Sequence, residues 1–311
     1  MSTVVGNAPV HFAPTASQLD VAYSVCRHIA RSAAKNFYYG FLVLPRRKRN
    51  AISAVYAFMR RCDDIADDST LSLDQRRSRL AEWLDRVHRA LASQPTDDPV
   101  LLALAHAQRR YQIPLGLLDQ LAFGTSADLD VEAPLSDPRD PLTARYQTFE
   151  ELRRYCYGVA SVVGLICIRI FGYRDPAAES LAERCGLAFQ LTNIIRDVKE
   201  DVAMGRVYLP AEDLAQYGLT AADLASPDLA RLRPLLAMAA DRARECYGAG
   251  EELIPLVNED SQPALWVLIT IYRRLLEKIA LRQYDVLSER VRLSVYEKVT
   301  ILGKGVARRM L

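Results

Sequence analysis

The hydrophobic positions of this chain recur with a helical period along most of its length. Val21, Val25, Ile29 and Ala33 follow one another at spacings of four, which predicts a helix from Ser17 onward. Short stretches rich in proline, glycine and aspartate separate the later apolar segments. The further helices that the pattern predicts cover residues 73–92, 98–110, 114–123, 147–172, 176–202, 220–224, 228–251, 261–285 and 294–310.

The domain organisation that follows is simple. No stretch alternates as a strand does, and no internal repeat of roughly 20 to 50 residues stands out. The 14 glycines and 15 prolines are too few for an all-β chain rich in tight turns. The pattern therefore predicts one all-α domain over residues 17–311, preceded by a flexible N-terminal arm over residues 1–16.

Composition and charge exclude several classes of function. The 311 residues include 40 Lys and Arg against 38 Asp and Glu, a net charge of +2, so no basic excess indicates nucleic-acid binding. The six cysteines form no C-x-x-C pair, which favours reduced core thiols in a cytoplasmic protein. No signal peptide is indicated, and the longest apolar runs are shorter than the roughly 20 residues that span a bilayer. We expect a soluble protein, or one peripheral to a membrane.

A second helix opens at Pro45 and carries the first chemical signal. Its apolar face consists of Ile52, Val55, Tyr56 and Met59. Beyond that face, Asp63 and Asp67 are four residues apart and stack on one side of the helix, with Asp64 beside them. Oxygen ligands of this kind suit Mg²⁺, which completes its shell with water and a substrate phosphate. Taken alone, this motif is more often a solvated acidic helix end.

A second polar stripe lies on the predicted helix 176–202. Gln190, Asn193, Asp197 and Asp201 recur at spacings of three or four on one face. Burying such a stripe is costly unless a metal or a partner satisfies it. A solvated amphipathic face is the alternative, although such a face usually mixes Lys and Glu rather than Gln, Asn and Asp.

The two acidic helices are expected to face each other across a bundle and to form one site for several Mg²⁺ ions, with Mn²⁺ as an alternative ion. Such ions neutralise a departing diphosphate. Basic residues surround both motifs, namely Lys35, Arg60, Arg61, Arg196 and Arg206.

Aromatic residues are the third feature. Tyr155 and Tyr157 open a segment in which Gly158 and Gly164 would let a ligand or a helix approach closely. Core packing accounts for most aromatic side chains in proteins. The functional alternative is an apolar tunnel whose π faces stabilise a carbocation.

Five blocks, in this order, resemble the squalene/phytoene synthase family, the head-to-head isoprenyl diphosphate synthases. The blocks are F-Y-Y-G-F-L-V-L-P (37–45), A-V-Y-A-F-M-R-R-C-D-D-I-A-D-D (54–68), Y-C-Y-G-V-A-S-V-V-G (155–164), Q-L-T-N-I-I-R-D-V-K-E-D (190–201) and G-R-V-Y-L-P (205–210). The resemblance implies an all-α, single-domain class I isoprenoid synthase bundle with a central cavity, in which two prenyl diphosphates bind together with Mg²⁺.

Matching positions also imply roles for individual residues. The implied metal ligands are Asp63, Asp64, Asp67, Asn193, Asp197 and Asp201. The implied catalytic residues are Tyr155, Asp63, Asp67, Asp197 and Asp201. The implied substrate-binding residues are Lys35, Phe37, Phe41, Tyr56, Arg60, Val159, Gly164, Gln190, Asn193, Arg196, Arg206, Tyr208 and Tyr272.

The resemblance implies the reaction as well. Loss of pyrophosphate from one substrate leaves an allylic cation, the C2=C3 double bond of the second substrate attacks it, and proton loss closes a cyclopropane. A second ionisation can lead to squalene with NADPH or to a phytoene-type triene without it. No glycine-rich dinucleotide fingerprint is present, but relatives that use NADPH lack one too, so NADPH use stays open.

The residues favour farnesyl diphosphate as the substrate. Phe41 lies one turn past Phe37, and its bulk would shorten the tunnel where many phytoene synthases carry a small residue. The segments 45–49 and 290–294 also resemble bacterial presqualene diphosphate synthases of hopanoid pathways. Presqualene diphosphate is therefore the expected product, and phytoene, a carotenoid precursor, is the close alternative. Ser161 replaces the usual glycine of the family and is expected to narrow the pocket.

Other classes are weighed against this interpretation. A non-catalytic helical assembly factor would tend to lose the aspartates, which are all present, and the block at 155–164 favours the head-to-head branch over a terpene cyclase. No histidine has a Glu three residues before it, which excludes a di-iron bundle.

Because substrate and product are lipids, we expect peripheral attachment to the inner face of a membrane through the basic, apolar C-terminal helix. The sequence does not indicate the oligomeric state.

Overall fold

The computed structural model of the chain describes residues 14–130, 142–225 and 228–310. Within these ranges helices connected by turns and loops make up the structure and no β-strand forms, so the predicted all-α fold is confirmed. The α-helices are α1 (Ala16–Ala33), α2 (Lys35–Val43), α3 (Arg46–Ala66), α4 (Leu73–Leu91), α5 (Pro99–Tyr111), α6 (Leu115–Asp130), α7 (Phe149–Cys156), α8 (Val162–Phe171), α9 (Ala177–Arg196), α10 (Val198–Ala203), α11 (Ala211–Gln216), α12 (Leu229–Leu253), α13 (Gln262–Leu281) and α14 (Val295–Met310). Shorter pieces are a π-helix (Tyr157–Ser161) and two 3₁₀ helices (Ala221–Leu224 and Ile254–Leu256).

The start of α1 is set by local chemistry. Thr15 caps the helix, because its hydroxyl accepts a hydrogen bond from the backbone N–H of Gln18 while the Gln18 side chain accepts one from the backbone N–H of Thr15. This reciprocal pair satisfies two donors that the first turn would otherwise leave open. Of the predicted N-terminal arm, residues 1–13 lie outside the described ranges.

The buried face of α1 differs from the row that predicted the helix. Val21 is 61% exposed, whereas Ala22, Cys26 and Ala30 are fully buried. These small side chains let α1 pack closely on α3 and α5. The predicted helical period was therefore correct, but the buried face of α1 lies one residue further along the chain than predicted.

The central helices enclose the site. α9 packs along α12, where the hydroxyl groups of Thr192 and Tyr247 share a buried hydrogen bond of 2.8 Å. α13 packs against α2 and α14, which also contact each other. This arrangement leaves an apolar space between α3, α8, α9 and α13.

Two predicted helices are interrupted in the structure. The predicted helix 176–202 is divided at Asp197 into α9 and α10, and 147–172 contains the π-helix between α7 and α8. The continuous run Phe149–Phe171 is, among the described residues, the one helix long and apolar enough to cross a membrane. It begins with charged turns, and the π-helix at its middle packs against α6 and α9, as a core helix of a bundle does.

Candidate active site

An elongated cavity occupies the centre of the bundle. The space that a water-sized sphere can reach in it is about 130 Å³, and most of the residues that line it are apolar. The predicted substrate-binding residues that line it are Phe37, Phe41, Tyr56, Val159, Gly164, Gln190 and Asn193. The polar side chains among them stand one helical turn or two before the acidic motifs of α3 and α9. The cavity therefore suits a long hydrocarbon with a polar head.

The first acidic motif stands at the C-terminal end of α3. The helix ends at Ala66, and the backbone N–H of Asp67 donates to the carbonyl of Asp63 over 2.8 Å. The side chains of Asp64 and Asp67 are 51% and 63% exposed. Because the C-terminus of a helix carries partial negative charge, each carboxylate placed there is destabilised by about 0.3–1 kcal/mol. This helix end therefore favours a bound cation.

The carboxylates around this motif have different partners. Asp64 pairs with Arg60, one turn earlier, over 2.5 Å. Asp68 accepts hydrogen bonds from the backbone N–H and the hydroxyl of Thr70, beyond the end of the helix. The structure thus assigns Asp68 a local role in the turn that follows α3.

The second motif is more buried and more tightly held. Asp197 is the C-cap of α9, and its side chain is 16% exposed. Its carboxylate accepts hydrogen bonds from Arg196 and from Nε and Nη2 of Arg290, the latter two at 2.8 Å. Burial alone would raise the pKa of Asp197, but the hydrogen bonds from both guanidinium groups outweigh it and lower the pKa. Asp197 is therefore ionised and neutralised within the protein itself.

Asp201, one turn further along, is in the opposite situation. Burial and the nearby negative charge of Asp197 raise the pKa of Asp201 to about 7. Arg206 counters part of this effect, and its backbone N–H donates to the Asp201 carbonyl over 2.8 Å. A half-buried carboxylate that lacks enough positive charge is suited to an incoming cation.

Arg206 brings the two motifs together. Its backbone is bonded to Asp201, and its guanidinium lies 3.6 Å from the carboxylate of Asp67. The acidic ends of α3 and α9 therefore lie on the same side of the bundle, as the sequence predicted.

Asn193 presents an unsatisfied polar atom to the cavity. Its amide nitrogen donates to the side chain of Gln190 over 3.4 Å, but its Oδ1 atom is buried without a hydrogen-bond partner. Oε2 of Glu200 is a second atom of this kind. A buried acceptor left unpaired costs about 1–3 kcal/mol, and an amide oxygen is a good ligand for a hard cation.

Three aromatic rings cluster beside the cavity, and two of them, Phe37 and Phe189, line it. Phe189 and Tyr272 stack with centroids 4.3 Å apart and an angle of 13° between their planes, and Phe37 lies 5.4 Å from Tyr272. Burial raises the pKa of Tyr272 to about 12, so its hydroxyl is neutral. The π faces of Phe37 and Phe189 can stabilise a positive charge that develops in the cavity.

A stack of three tyrosines stands beside the G-R-V-Y-L-P segment. The ring of Tyr155, on α7, lies 5.3 Å from that of Tyr208 and 5.4 Å from that of Tyr146. The guanidinium of Arg145 lies 5.3 Å from the ring of Tyr208, and the backbone N–H of Arg145 donates to the carbonyl of Val207. Tyr146 and Arg145 were not singled out in the sequence, since nothing local marks a contact with a segment 60 residues away.

The π-helix at 157–161 is held by glycine contacts. A Cβ atom on Gly124 of α6 would lie 2.5 Å from the carbonyl oxygen of Gly158, and one on Gly186 of α9 would lie 2.7 Å from Cα of Ser161. Only glycine fits at such distances. Because π-helical turns occur frequently at functional sites, this widened turn marks the cavity wall as specialised.

Several residues lie elsewhere than expected. Ser161 donates its hydroxyl to the carbonyl of Glu183 over 2.8 Å and is fully buried against α9, so the expectation that it narrows the pocket is wrong. Arg61 lies over the ring of Trp83 at 5.6 Å. Lys35 begins α2, and its side chain lies outside the described part of the structure.

Sequence reasoning assigned no role to Arg290, which makes two of the hydrogen bonds to Asp197. It lies 93 residues further along the chain, in the segment between α13 and α14. The segment 290–294 stood out by resemblance, but no spacing rule connects it to the acidic stripe.

Solved structures with the same architecture identify the class of protein. A crystal structure of a dehydrosqualene synthase matches with a TM-score of 0.81 and 29% identity, over 94% of this chain and 97% of that one. The structure of a squalene synthase from Alicyclobacillus acidocaldarius matches with a TM-score of 0.75 and 28% identity, over 87% and 97% of the two chains. The fold and the cavity with its two acidic helix ends define an isoprenoid synthase.

Sequence comparison identifies the family. The profile of the squalene/phytoene synthase family matches residues 30–297. A phytoene synthase of Mycobacterium tuberculosis is 37% identical over 94% of this chain and 92% of its own length. The 15-cis-phytoene synthase of Synechococcus elongatus is 34% identical over 94% of each chain. This chain therefore belongs to the squalene/phytoene synthase family, whose prenyltransferases join two prenyl diphosphates head to head, as the five blocks indicated.

Proposed function

We propose that this protein is a phytoene synthase, which condenses two geranylgeranyl diphosphates through prephytoene diphosphate to phytoene. The observation that carries the proposal is the identity of 37% and 34% to phytoene synthases, over 94% of the chain in each case. No reductant is required for this product.

The shape of the cavity supports a long substrate. Its lining extends along α9 from Asn193 to Ala182, which is about 16 Å at 1.5 Å per residue. It also includes Phe171 and Leu253, from two other helices. Phe41 is buried beside Tyr56, with ring centroids 6.4 Å apart, and occupies part of one wall.

Condensation of two farnesyl diphosphates is the second candidate. Phe41 favours it, because a phenylalanine at this point fills space that a longer chain would use. The likeness to a dehydrosqualene synthase and to a squalene synthase, at 29% and 28% identity, also supports it. The substrate preference read from Phe41 stays a prediction.

The donor set of the two motifs fits Mg²⁺. All of the donors are oxygens, the carboxylates stand at two helix C-termini, and Oδ1 of Asn193 is buried without a partner. In the described ranges no three carboxylate, histidine or cysteine side chains converge on one point, so water and substrate phosphate would have to complete the shell of each ion. When bound, Mg²⁺ stabilises the charge of the departing diphosphate. The residues that would hold it are Asp63, Asp64, Asp67, Asn193, Asp197 and Asp201.

The chain's own residues account for the remaining steps. Arg196, Arg206 and Arg290 contact the carboxylates of the two acidic motifs, where they can bind diphosphate oxygens while the C1–O bond of the first substrate breaks. The allylic cation that remains lies in a cavity with apolar walls that exclude water. There Phe37 and Phe189 present aromatic faces to the positive charge.

The carbon skeleton then forms in two stages. The C2=C3 double bond of the second substrate attacks the cation, and loss of a proton closes the cyclopropane. Loss of the second pyrophosphate and rearrangement give the new bond between the two C1 atoms, and loss of a further proton gives the triene.

The test is an incubation of the purified protein with Mg²⁺ and either geranylgeranyl or farnesyl diphosphate, with and without NADPH. Products are identified by mass spectrometry before and after phosphatase treatment. A C40 triene from geranylgeranyl diphosphate is expected. A C30 product alone would establish the second candidate, and turnover of neither substrate would favour a non-catalytic assembly factor.

Variants of α2 separate an effect on substrate choice from a general loss of activity or stability. Phe41→Ala is expected to raise the ratio of C40 to C30 products in a competition between the two substrates. Val43→Ala is the matched control, since Val43 is buried on the same helix and is not among the residues that line the cavity. An equal shift in both variants would remove Phe41 from the specificity argument.

A further inference from the structure

The tyrosine stack of the candidate active site joins two distant parts of the chain. Tyr146 precedes α7 and Tyr155 lies within it, whereas Tyr208 lies between α10 and α11. The planes of the three rings are within 30° of one another. Aromatic contacts extend only to about 7 Å between ring centroids. The stack therefore requires α7 and α11 to keep a fixed separation.

Hydrogen bonds hold the beginnings of these two helices side by side. The backbone N–H of Ala211 donates to the carbonyl of Tyr146 over 2.9 Å. The backbone N–H of Glu212 donates to the carbonyl of Gln147 over 3.0 Å, and the Glu212 side chain accepts a hydrogen bond from the backbone N–H of Phe149 over 2.6 Å. Gln147 and Glu212 are exposed, so water competes with the bonds that they make.

Arg242 of α12 contacts both helices. Its two Nη atoms donate to the two carboxylate oxygens of Asp213 on α11, with Nη2 and Oδ1 2.9 Å apart. The side chain of Asp213 is 4% exposed, so this pair is shielded from water. The Cζ atom of the same guanidinium lies 4.2 Å from the centroid of the Phe149 ring, at the start of α7. One side chain thus bonds to α11 and packs on α7 at the same time.

The helix that carries Arg242 is itself fixed in the core. Its neighbours Ala240 and Ala243 are fully buried, and α12 packs along α9, whose C-cap is Asp197. A guanidinium is planar, so it can make two parallel hydrogen bonds to a carboxylate and also lie on an aromatic ring. Arg242 therefore connects the tyrosine stack to the same pair of helices that holds the second acidic motif.

We propose that Arg242 is a positioning residue of this active site, whose guanidinium fixes the separation of α7 and α11 and thereby keeps the rings of Tyr155 and Tyr208 face to face. Arg242 is not among the described residues that line the cavity, so its effect is transmitted through the two helices. The family resemblance implies a catalytic role for Tyr155 and a substrate-binding role for Tyr208. The kinetic consequence therefore rests on the proposed function, whereas the geometry of the stack does not.

Arg242→Lys tests the proposal kinetically. Lysine keeps a positive charge beside the buried carboxylate of Asp213, but it loses the second hydrogen bond and the flat face on Phe149. The variant should lower kcat/KM for the prenyl diphosphate by about tenfold or more, because small displacements of active-site groups have effects of this size. Phe149→Leu removes only the ring contact and should lower kcat/KM by a smaller factor.

Arg231→Lys is the matched control. Arg231 lies on the same helix and has comparable partners, since its guanidinium bonds to Asp223 over 3.1 Å and to the carbonyl of Gly218 over 2.8 Å. It contacts neither α7 nor the start of α11 through these bonds. The control should keep kcat/KM within about twofold of the unaltered protein. An equal loss in Arg231→Lys and Arg242→Lys would overturn the proposal.

A double-mutant cycle separates positioning from general destabilisation. Tyr146→Leu removes one ring of the stack directly, and all assays are made well below the unfolding midpoint of each variant. If Arg242 acts through the stack, adding Arg242→Lys to Tyr146→Leu should lower kcat/KM by less than about twofold more. Multiplication of the two single effects would mean that Arg242 acts in another way, and the proposal would be wrong.

Near-ultraviolet circular dichroism of the tyrosines examines the stack without any substrate. Tyr146→Leu defines the change in the spectrum when the stack is broken. Arg242→Lys should reproduce most of this change, and Arg231→Lys should not. An unchanged spectrum in Arg242→Lys would overturn the proposal. If the protein converts neither prenyl diphosphate, the proposed function fails, and the spectra alone decide whether Arg242 positions the rings.

Discussion

The two acidic helix ends share one side of the bundle, but their charges are balanced differently. At the end of α3 the carboxylates of Asp64 and Asp67 are half exposed or more, and they have single partners in Arg60 and Arg206. At the end of α9 the carboxylate of Asp197 is 16% exposed and is bound by two guanidinium groups. Water screens the charge of the first motif, and the protein itself compensates the charge of the second.

The difference indicates how the site can be stable both without ligands and with Mg²⁺ and diphosphate bound. A buried carboxylate without a counter-charge would destabilise the fold strongly, so the second motif needs Arg196 and Arg290 when no ligand is bound. Those same guanidinium groups can turn to diphosphate oxygens when positive charge arrives beside the carboxylate. The first motif needs no such support, because it is hydrated.

The largest effect should appear in turnover, where both motifs are equally necessary. Asp63→Ala and Asp197→Ala are each expected to lower the rate by about 10³-fold or more, because each removes a charge that holds the ions facing the leaving group. The helical circular dichroism signal should be retained in both. Asp68→Ala, which alters the turn after α3, is the control and should keep most of the activity. Full activity in either of the first two variants would contradict the metal-site interpretation.

Stability should separate the two motifs. Asp197→Ala leaves Arg196 and Arg290 partly buried without their partner, and it should lower the free energy of unfolding by about 1–3 kcal/mol. Asp67→Ala removes an exposed carboxylate and should change the free energy of unfolding by less than about 0.5 kcal/mol. Urea unfolding followed by circular dichroism measures both quantities. Equal losses would mean that the contrast in burial has no energetic consequence.

The pH dependence of stability should come from the second motif. The pKa of Asp201 is raised to about 7 in the folded protein, so the folded state keeps a proton that the unfolded chain releases near pH 4. The contribution of Asp201 to stability is therefore complete below about pH 4 and is lost as the pH rises through about 7. Asp197 has the opposite sign, because its lowered pKa gives stability above its unfolded value that is lost in stronger acid.

Unfolding midpoints at about pH 5 and about pH 7.5, measured in the presence of a chelator, test this sign. Asp201→Asn should reduce the decrease in the unfolding midpoint between the two pH values. Asp67→Asn in the first motif should leave that decrease unchanged. A fall of the same size in the Asp201→Asn variant would assign the effect to another group.

The smallest effect is expected for the ion pair of α3. Arg60 and Asp64 are 44% and 51% exposed and lie one helical turn apart, so Arg60→Ala should cost less than about 0.5 kcal/mol. Arg290→Ala should cost several times more, since it uncovers Asp197. Thermal unfolding of the two variants side by side measures the ratio, and a larger loss for Arg60→Ala would reverse the comparison.

Local periodicity predicted most of the helices and both acidic stripes. Asn193, Asp197 and Asp201 recur at spacings of four, and this is enough to place them on one side of the chain. Periodicity could not show that the helix ends at Arg196 and begins again at Val198, because a break of one residue leaves the spacing almost unchanged. That break gives Asp197 its position at a helix C-terminus, where a cation is favoured.

Contacts between distant segments were beyond the reach of the sequence. Arg290 reaches Asp197 across 93 residues, and Gly158 meets Gly124 across the interface with α6. Neither pair follows from a local rule, since both depend on how whole helices dock. The displaced buried face of α1 has the same origin, because α3 and α5 pack against the side of α1 that carries the small side chains Ala22 and Cys26.

The π-helix between α7 and α8 sets the rotation of α8 about the axis of this long helix. Because the π-helical turn holds about one residue more than an α-helical turn, everything that follows is turned by about 100° relative to a continuous α-helix. If the same residues 157–161 formed α-helical hydrogen bonds, α8 would be rotated by that angle, so that Val163, Gly164 and Cys167, which line the cavity, would turn towards neighbouring helices. The hydrocarbon chamber thus depends on the angular setting of one helix, which the π-helical turn determines.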